Sequence, residues 1–144
     1  MMQNPEGEMT CMNPLKKVAF ICVHNSCRSQ IAEALGRYLA GDVFVSYSAG
    51  TSLKSGLNPD AVRIMKKLYG IDMEKTQYPK LIADIPDPDI VISMGCTDGC
   101  PYIGRAFDED WHLPDPTGRS DAFFDAVIKE IETNILRLKK ILQA

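Results

Sequence analysis

The segment Lys17 to Val23, KVAFICV, is a short apolar run rich in β-branched residues, and a helical pattern begins within a few residues of its end. A run of this kind reads as a buried strand of a parallel sheet. From Ser26 to Ala40 the apolar residues Ile31, Ala34, Leu35 and Tyr38 recur at helical spacing, and Gly41-Asp42 ends the pattern. Val43 to Ser48, VFVSYS, predicts a second strand. Asn58 before Pro59 predicts a capped helix running to Tyr69, with Gly70 as its stop. Leu81 to Ile85 fits either helix or strand, and Pro86 ends it. Asp89 to Met94, DIVISM, predicts a third parallel-type strand, and a short strand is expected near Arg105 to Phe107. Ser120 to Gln143 predicts a long amphipathic helix with Phe124, Val127, Ile128, Ile131, Ile135, Leu138 and Leu142 on its core face. Strands alternating with helices indicate an α/β sandwich around a parallel sheet. Ligands of such sheets sit at the carboxyl ends of the strands. Cys22 and Cys96 stand at two such ends.

The chain has 144 residues, enough for one domain with its own core. We expect a flexible extension over residues 1–15 and a single domain over 16–144. The extension is polar and Met-rich and lacks the apolar stretch of a secretory signal; Met12 is a second candidate start. A net charge of −3 gives no general electrostatic reason to bind nucleic acid or an anionic membrane. No apolar run reaches the length of a membrane span. Five cysteines, an odd number, argue against a disulfide scaffold and for a cytoplasmic protein using thiols in catalysis, redox work or metal binding. Cys11 lies in the extension and is read as incidental.

Between strand and helix stands Cys22-Val23-His24-Asn25-Ser26-Cys27-Arg28-Ser29. Such a loop can curl its backbone N–H groups inward as an anion nest, and the following helix adds its unpaired N–H groups and positive dipole end. Arg28 can grip two oxygens of a tetrahedral anion. The same field populates a Cys22 thiolate near neutral pH, a nucleophile in line with bound phosphate or arsenate. Asn25 tolerates a left-handed backbone and can pin the loop, and Ser26 or Ser29 can steady the sulfur. Cys27 is expected to pack behind the loop rather than react. The oxyanion-binding set is therefore Val23, His24, Asn25, Ser26, Cys27, Arg28 and Ser29.

The string CVHNSCRSQIAEAL resembles the phosphate loop and first helix of the low-molecular-weight protein tyrosine phosphatase fold, most closely its thioredoxin-coupled arsenate reductase branch. YSAGT at Tyr47 to Thr51, LNPDAV at Leu57 to Val62, GID at Gly70 to Asp72 and DPTG at Asp115 to Gly118 extend the likeness from about Lys17 to Leu142. The resemblance implies a three-layer sandwich with a four-stranded parallel sheet. It makes Asp115 the general acid that protonates a departing oxygen, a role an Asp beside a bound oxyanion suits. Phosphatases of this fold usually follow that Asp-Pro with aromatics; Thr117-Gly118 matches the reductase pattern instead. His112 stands where a glycine is usual, Pro114 replaces an acidic residue, and His24 stands where many relatives have glycine. Either histidine is read as structural or solvent-facing, with an auxiliary catalytic role as the alternative.

The resemblance further implies that Cys96 is the first resolving thiol and Cys100 the second, passing a disulfide outward for thioredoxin to reduce. Their Cys-x3-Cys spacing is tighter than the best-known pattern. The alternatives are two free loop cysteines or half of a metal site, for which no second ligand pair is recognisable. No bound cofactor is implied beyond a potassium ion on Asn25, Glu33, Ser48 and Asp72. Expected partners are arsenate or a phosphate-type oxyanion and thioredoxin. The rival functions are a phosphatase for phosphotyrosine or small phosphate esters, which needs only Cys22, Arg28 and Asp115, and an oxyanion-binding or redox-sensing protein without turnover.

Overall fold

The computed structural model describes residues 15–53, 56–95 and 103–143. The expected extension, with Cys11 and Met12, thus lies almost wholly outside the described residues, and Cys96 and Cys100 lie outside them too. Four strands, β1 (Lys16–Ile21), β2 (Phe44–Ala49), β3 (Ile90–Ser93) and β4 (Glu109–Asp110), form one sheet in the order β2-β1-β3-β4. All three pairings are parallel, with Val18 opposite Ser46 and Ile90, and Ile92 opposite Glu109. The helices are α1 (Arg28–Ala40), α2 (Pro59–Tyr69) and α3 (Asp121–Gln143), with 3-10 turns at Met73–Lys75 and Ile82–Asp84.

Alternation along β1 divides the core. Val18 and Phe20 join Ile92, Phe44 and buried apolar residues of all three helices in one apolar cluster. Ala19 and Ile21 join Ala49 and Val91 in a second, thinner one, covered by Ile82, Ile85, Ile103 and Phe107. Among the described residues, the layer on that face is built from a 3-10 turn and loop side chains. The α3 stripe packs as expected, with Phe124, Val127, Ile128, Ile131, Ile135 and Leu138 buried and Leu142 against the cluster edge. Burying a side chain of this size stabilises the fold by about 1.5–3 kcal/mol.

Three local expectations are corrected. The last strand lies at Glu109–Asp110, not Arg105 to Phe107. The Arg105–Asp108 ion pair turns the preceding segment, and ladder contact with Val91 begins only at Asp108. The first helix begins at Arg28 rather than Ser26, because Asn25 has a left-handed φ of 52° and Cys27 is non-helical at φ −132°, ψ −91°. Tyr38 is exposed, its ring edge-on to Tyr69 at 6.0 Å, instead of sharing the buried face. The ambiguous Leu81 segment is the second 3-10 turn. Asn58 caps α2 as expected, its Oδ1 accepting from the N–H groups of Asp60 and Ala61.

Candidate active site

Cys22 is the first residue past β1, and the strand's hydrogen bonding carries one step into it through Cys22 N–H to Ala49 O, 3.3 Å. The chain then crosses to α1 in six residues. Cys27 makes no side-chain capping bond at the start of α1, so the first-turn N–H groups remain open to an anion. Cys22, Val23, His24, Ser26, Cys27 and Arg28 line a cleft of about 40 Å³ together with Asp115 and Thr117. The nucleophile, the arginine and the acid singled out in the sequence thus meet at one place. Asn25 and Ser29, expected to bind the anion, are not among the lining residues; both are fully buried, and their side chains support the loop.

That support is a chain of buried polar contacts. Asn25 Nδ2 donates to Ser29 Oγ at 2.9 Å, and Ser29 Oγ lies 2.9 Å from Cys22 Sγ. Asn25 Oδ1 accepts from Gln30 Nε2 and from the Lys80 N–H, each at 2.9 Å. Gln77 Nε2 in turn donates to Gln30 Oε1 at 2.8 Å. Buried amides must find partners, so this set fixes the loop conformation. Gln30, Gln77 and Lys80 were not legible as site residues; two glutamines that end up buried carry no local sequence mark.

Arg28 faces two ways. Its Nη1 donates to Gly95 O at 2.6 Å and to Leu113 O at 2.7 Å. Nε and Nη2 make no hydrogen bond to the described residues, leaving a second edge for an oxyanion. Gly95 immediately precedes Cys96, and Leu113 stands two residues before Asp115. The arginine therefore links the loop to the roots of both other candidate segments. Gly95 holds φ at 102°, and a Cβ there would meet Leu113 N at 2.9 Å, so only glycine fits.

Asp115 Oδ1 accepts from the Thr117 N–H at 3.0 Å and from Thr117 Oγ1 at 2.7 Å. Asn58 Nδ2 lies 3.4 Å from Thr117 Oγ1, while the Asn58 N–H donates to Ser26 O at 2.8 Å. Thr117 and Asn58 thus connect the acid to the loop, a role not foreseen for either. Burial pushes the Cys27 thiol up to about 12; the Asp115 carboxylate and Cys22 add to the shift, and Arg28 and a Thr117 hydrogen bond oppose it. Cys27 is a neutral wall of the cleft. His24 Nδ1 pairs with Ser52 O at 2.8 Å, and His112 is exposed with φ 50°. The Arg137 guanidinium, then the Trp111 indole N–H, hold the Glu109 carboxyl below its ordinary range, fastening β4 to α3 just before the Asp115 segment.

The residues implied for potassium do not assemble as ion ligands. Ser48 Oγ donates to Glu33 Oε1 at 2.6 Å, and that carboxylate also takes Arg37 and the Lys80 ammonium. Asp72 is spent on the Glu74 N–H at the start of a 3-10 turn. Among the described residues no group of three or more His, Cys, Asp or Glu side chains is placed to hold a metal ion. No described helix is long and apolar enough to cross a membrane.

Residues 17–144 match the low molecular weight phosphotyrosine protein phosphatase family. The chain is 38% identical over 125 residues to arsenate reductase 1 of Staphylococcus epidermidis, covering 83% of this chain and 92% of that one. It is similar to a solved arsenate reductase in the phosphate binding state, with a TM-score of 0.75, 34% identity and coverage of 89% and 99%. It is also similar to the thioredoxin-dependent arsenate reductase of Corynebacterium glutamicum, with a TM-score of 0.68 and 35% identity, covering 92% of this chain and 64% of that one.

Proposed function

This chain belongs to the low molecular weight phosphotyrosine protein phosphatase family, and from that premise we propose that it reduces arsenate to arsenite at the Cys22 cleft, with thioredoxin as the external reductant. The observation that carries the reading is the convergence of Cys22, Arg28 and Asp115 on one small cleft whose described lining has no Phe, Tyr or Trp to flank an aryl group.

Arsenate binds against the open N–H groups of the loop and the free edge of Arg28. The Cys22 thiolate attacks arsenic, and Asp115 gives its proton to the departing hydroxyl, which leaves as water. The Cys96 thiolate then attacks Cys22 Sγ. The arsenic–sulfur bond breaks with its electron pair going to arsenic, which leaves as arsenite, and a Cys22–Cys96 disulfide remains. The two thiols supply the two electrons. Cys100 attacks Cys96, frees Cys22 and closes a Cys96–Cys100 disulfide, which the thioredoxin dithiol reduces by exchange. This cycle belongs in the cytoplasm, where reduced thiols are maintained.

The test is arsenate-dependent NADPH consumption with thioredoxin and thioredoxin reductase, in wild type and in Cys22→Ser, Cys96→Ser and Cys100→Ser. Turnover by wild type alone supports the relay. The second reading, a phosphatase, is favoured by the shared loop and first step: an aryl phosphate hydrolysed without any arsenite, lost only in Cys22→Ser, replaces the reductase with it.

A further inference from the structure

Glu33 is a buried charge with three polar side-chain partners. Its side chain is 4% exposed, yet one carboxylate meets two cations, Arg37 at Oε2 and Lys80 at Oε1, and the Ser48 hydroxyl besides. The two cations differ. The Arg37 side chain is half exposed, whereas that of Lys80 is 11% exposed. Lys80 Nζ lies 3.3 Å from Glu33 Oε1, 3.0 Å from Tyr78 O and 5.0 Å from the centre of the Tyr78 ring. A carboxylate, a carbonyl and a ring face are the partners a compact monovalent cation takes. The backbone of Lys80 is clamped between two parts of the site: its N–H donates to Asn25 Oδ1, and its carbonyl accepts from the Gly50 N–H at 2.9 Å.

We infer that the Lys80 ammonium is the resident cation of this polar cluster, so that the chain neither binds nor needs a monovalent metal ion beside its loop. The charges explain the exclusion. One buried carboxylate already faces two positive groups, and a metal ion would bring a third. The oxygens it would need are occupied: Ser48 Oγ donates to Glu33, and Asn25 Oδ1 accepts two N–H groups. The consequence reaches the nucleophile through Asn25, Ser29 and Cys22, which stand in hydrogen-bonded sequence from the Lys80 N–H. Lys80 is thus a positioning residue.

The experiment compares wild type, Lys80→Arg and Lys80→Ala in potassium, sodium and choline chloride at equal ionic strength, reading the melting midpoint and the rate of Cys22 alkylation by iodoacetamide. Neither readout requires arsenate turnover, so the inference stands or falls apart from the proposed reaction. Wild type is expected to melt at the same temperature in all three salts. Lys80→Ala, with the ammonium removed, is expected to lose about 3 °C or more in choline and to regain it in an alkali-metal salt, with Cys22 alkylation following the same pattern. Lys80→Arg is expected to need no metal. A wild-type midpoint that rises with potassium would overturn the inference, as would a Lys80→Ala variant whose midpoint and alkylation rate are unchanged, or reduced and indifferent to the metal. If Lys80→Ala does not fold, Lys80→Gln is read by the same criteria.

Discussion

Ser29 Oγ lies 2.9 Å from Cys22 Sγ while accepting a hydrogen bond from Asn25 Nδ2. An amide N–H can only donate, so the Ser29 oxygen accepts from Asn25 and keeps its own proton to give to Cys22 Sγ whenever the sulfur is a thiolate, which can only accept. That proton stabilises the thiolate. Ser29→Ala is expected to slow Cys22 alkylation at pH 7 by about tenfold, the weight of one hydrogen bond to a charged group. Timed iodoacetamide labelling followed by intact mass reads this directly.

Arg28 supplies a planar fork with one nitrogen on the Gly95 and Leu113 carbonyls and the opposite edge toward the cleft. Lysine cannot make both sets of contacts. Arg28→Lys is expected to lower kcat/KM for arsenate by about 100-fold or more. Steady-state kinetics check the rate, and the melting midpoint shows whether the two carbonyl-bearing segments have also loosened.

Thr117 donates to Asp115 through its hydroxyl and is held by Asn58. Thr117→Val keeps the shape and removes the donor. We expect kcat to fall about tenfold with little change in KM. A pH–rate profile should show its alkaline limb altered, since Asp115 must carry its proton to act as the acid, whereas a purely structural loss would scale the whole profile evenly.

Cys27 gives the pH dependence a definite sign. Its folded-state pKa, raised first by burial to about 12, lies above the ordinary thiol value of 9.0. The unfolded chain loses this proton at lower pH than the folded one. The contribution is therefore complete below the ordinary thiol range and is lost as pH rises from there toward about 12. Denaturant midpoints should decline between pH 8 and 10.5, and Cys27→Ala should flatten that decline. Folded protein at pH 8 should not be alkylated at Cys27.

Much of this was legible because the constraints are local. A strand, a six-residue crossing and a helix start leave the chain few ways to place Cys22 and Arg28, and Asn25 takes the left-handed φ that its type suggested. His112, noted in the sequence as standing where a glycine is usual, also has a left-handed φ; among residues with a Cβ, histidine is one that tolerates this. What escaped was set by distant partners. Lys80 reads as an ordinary charge until the chain brings Glu33 beside it, 47 residues away in sequence. Thr117 matters through Asn58, 59 residues away. Tyr38 fits the helical spacing, yet its contact is Tyr69 at the surface.

Reduction of arsenate by Cys22 and a second thiol, rather than hydrolysis of a phosphate ester, leaves a direct signature in a single turnover. Fully reduced protein should be mixed with arsenate and no external reductant, with arsenite and the cysteine pairing then measured after a single turnover. One arsenite released per chain and a Cys96–Cys100 disulfide by peptide mapping, with Cys22 again free, are expected. No arsenite, with every thiol still reduced and an aryl phosphate readily hydrolysed, would make the protein a phosphatase instead.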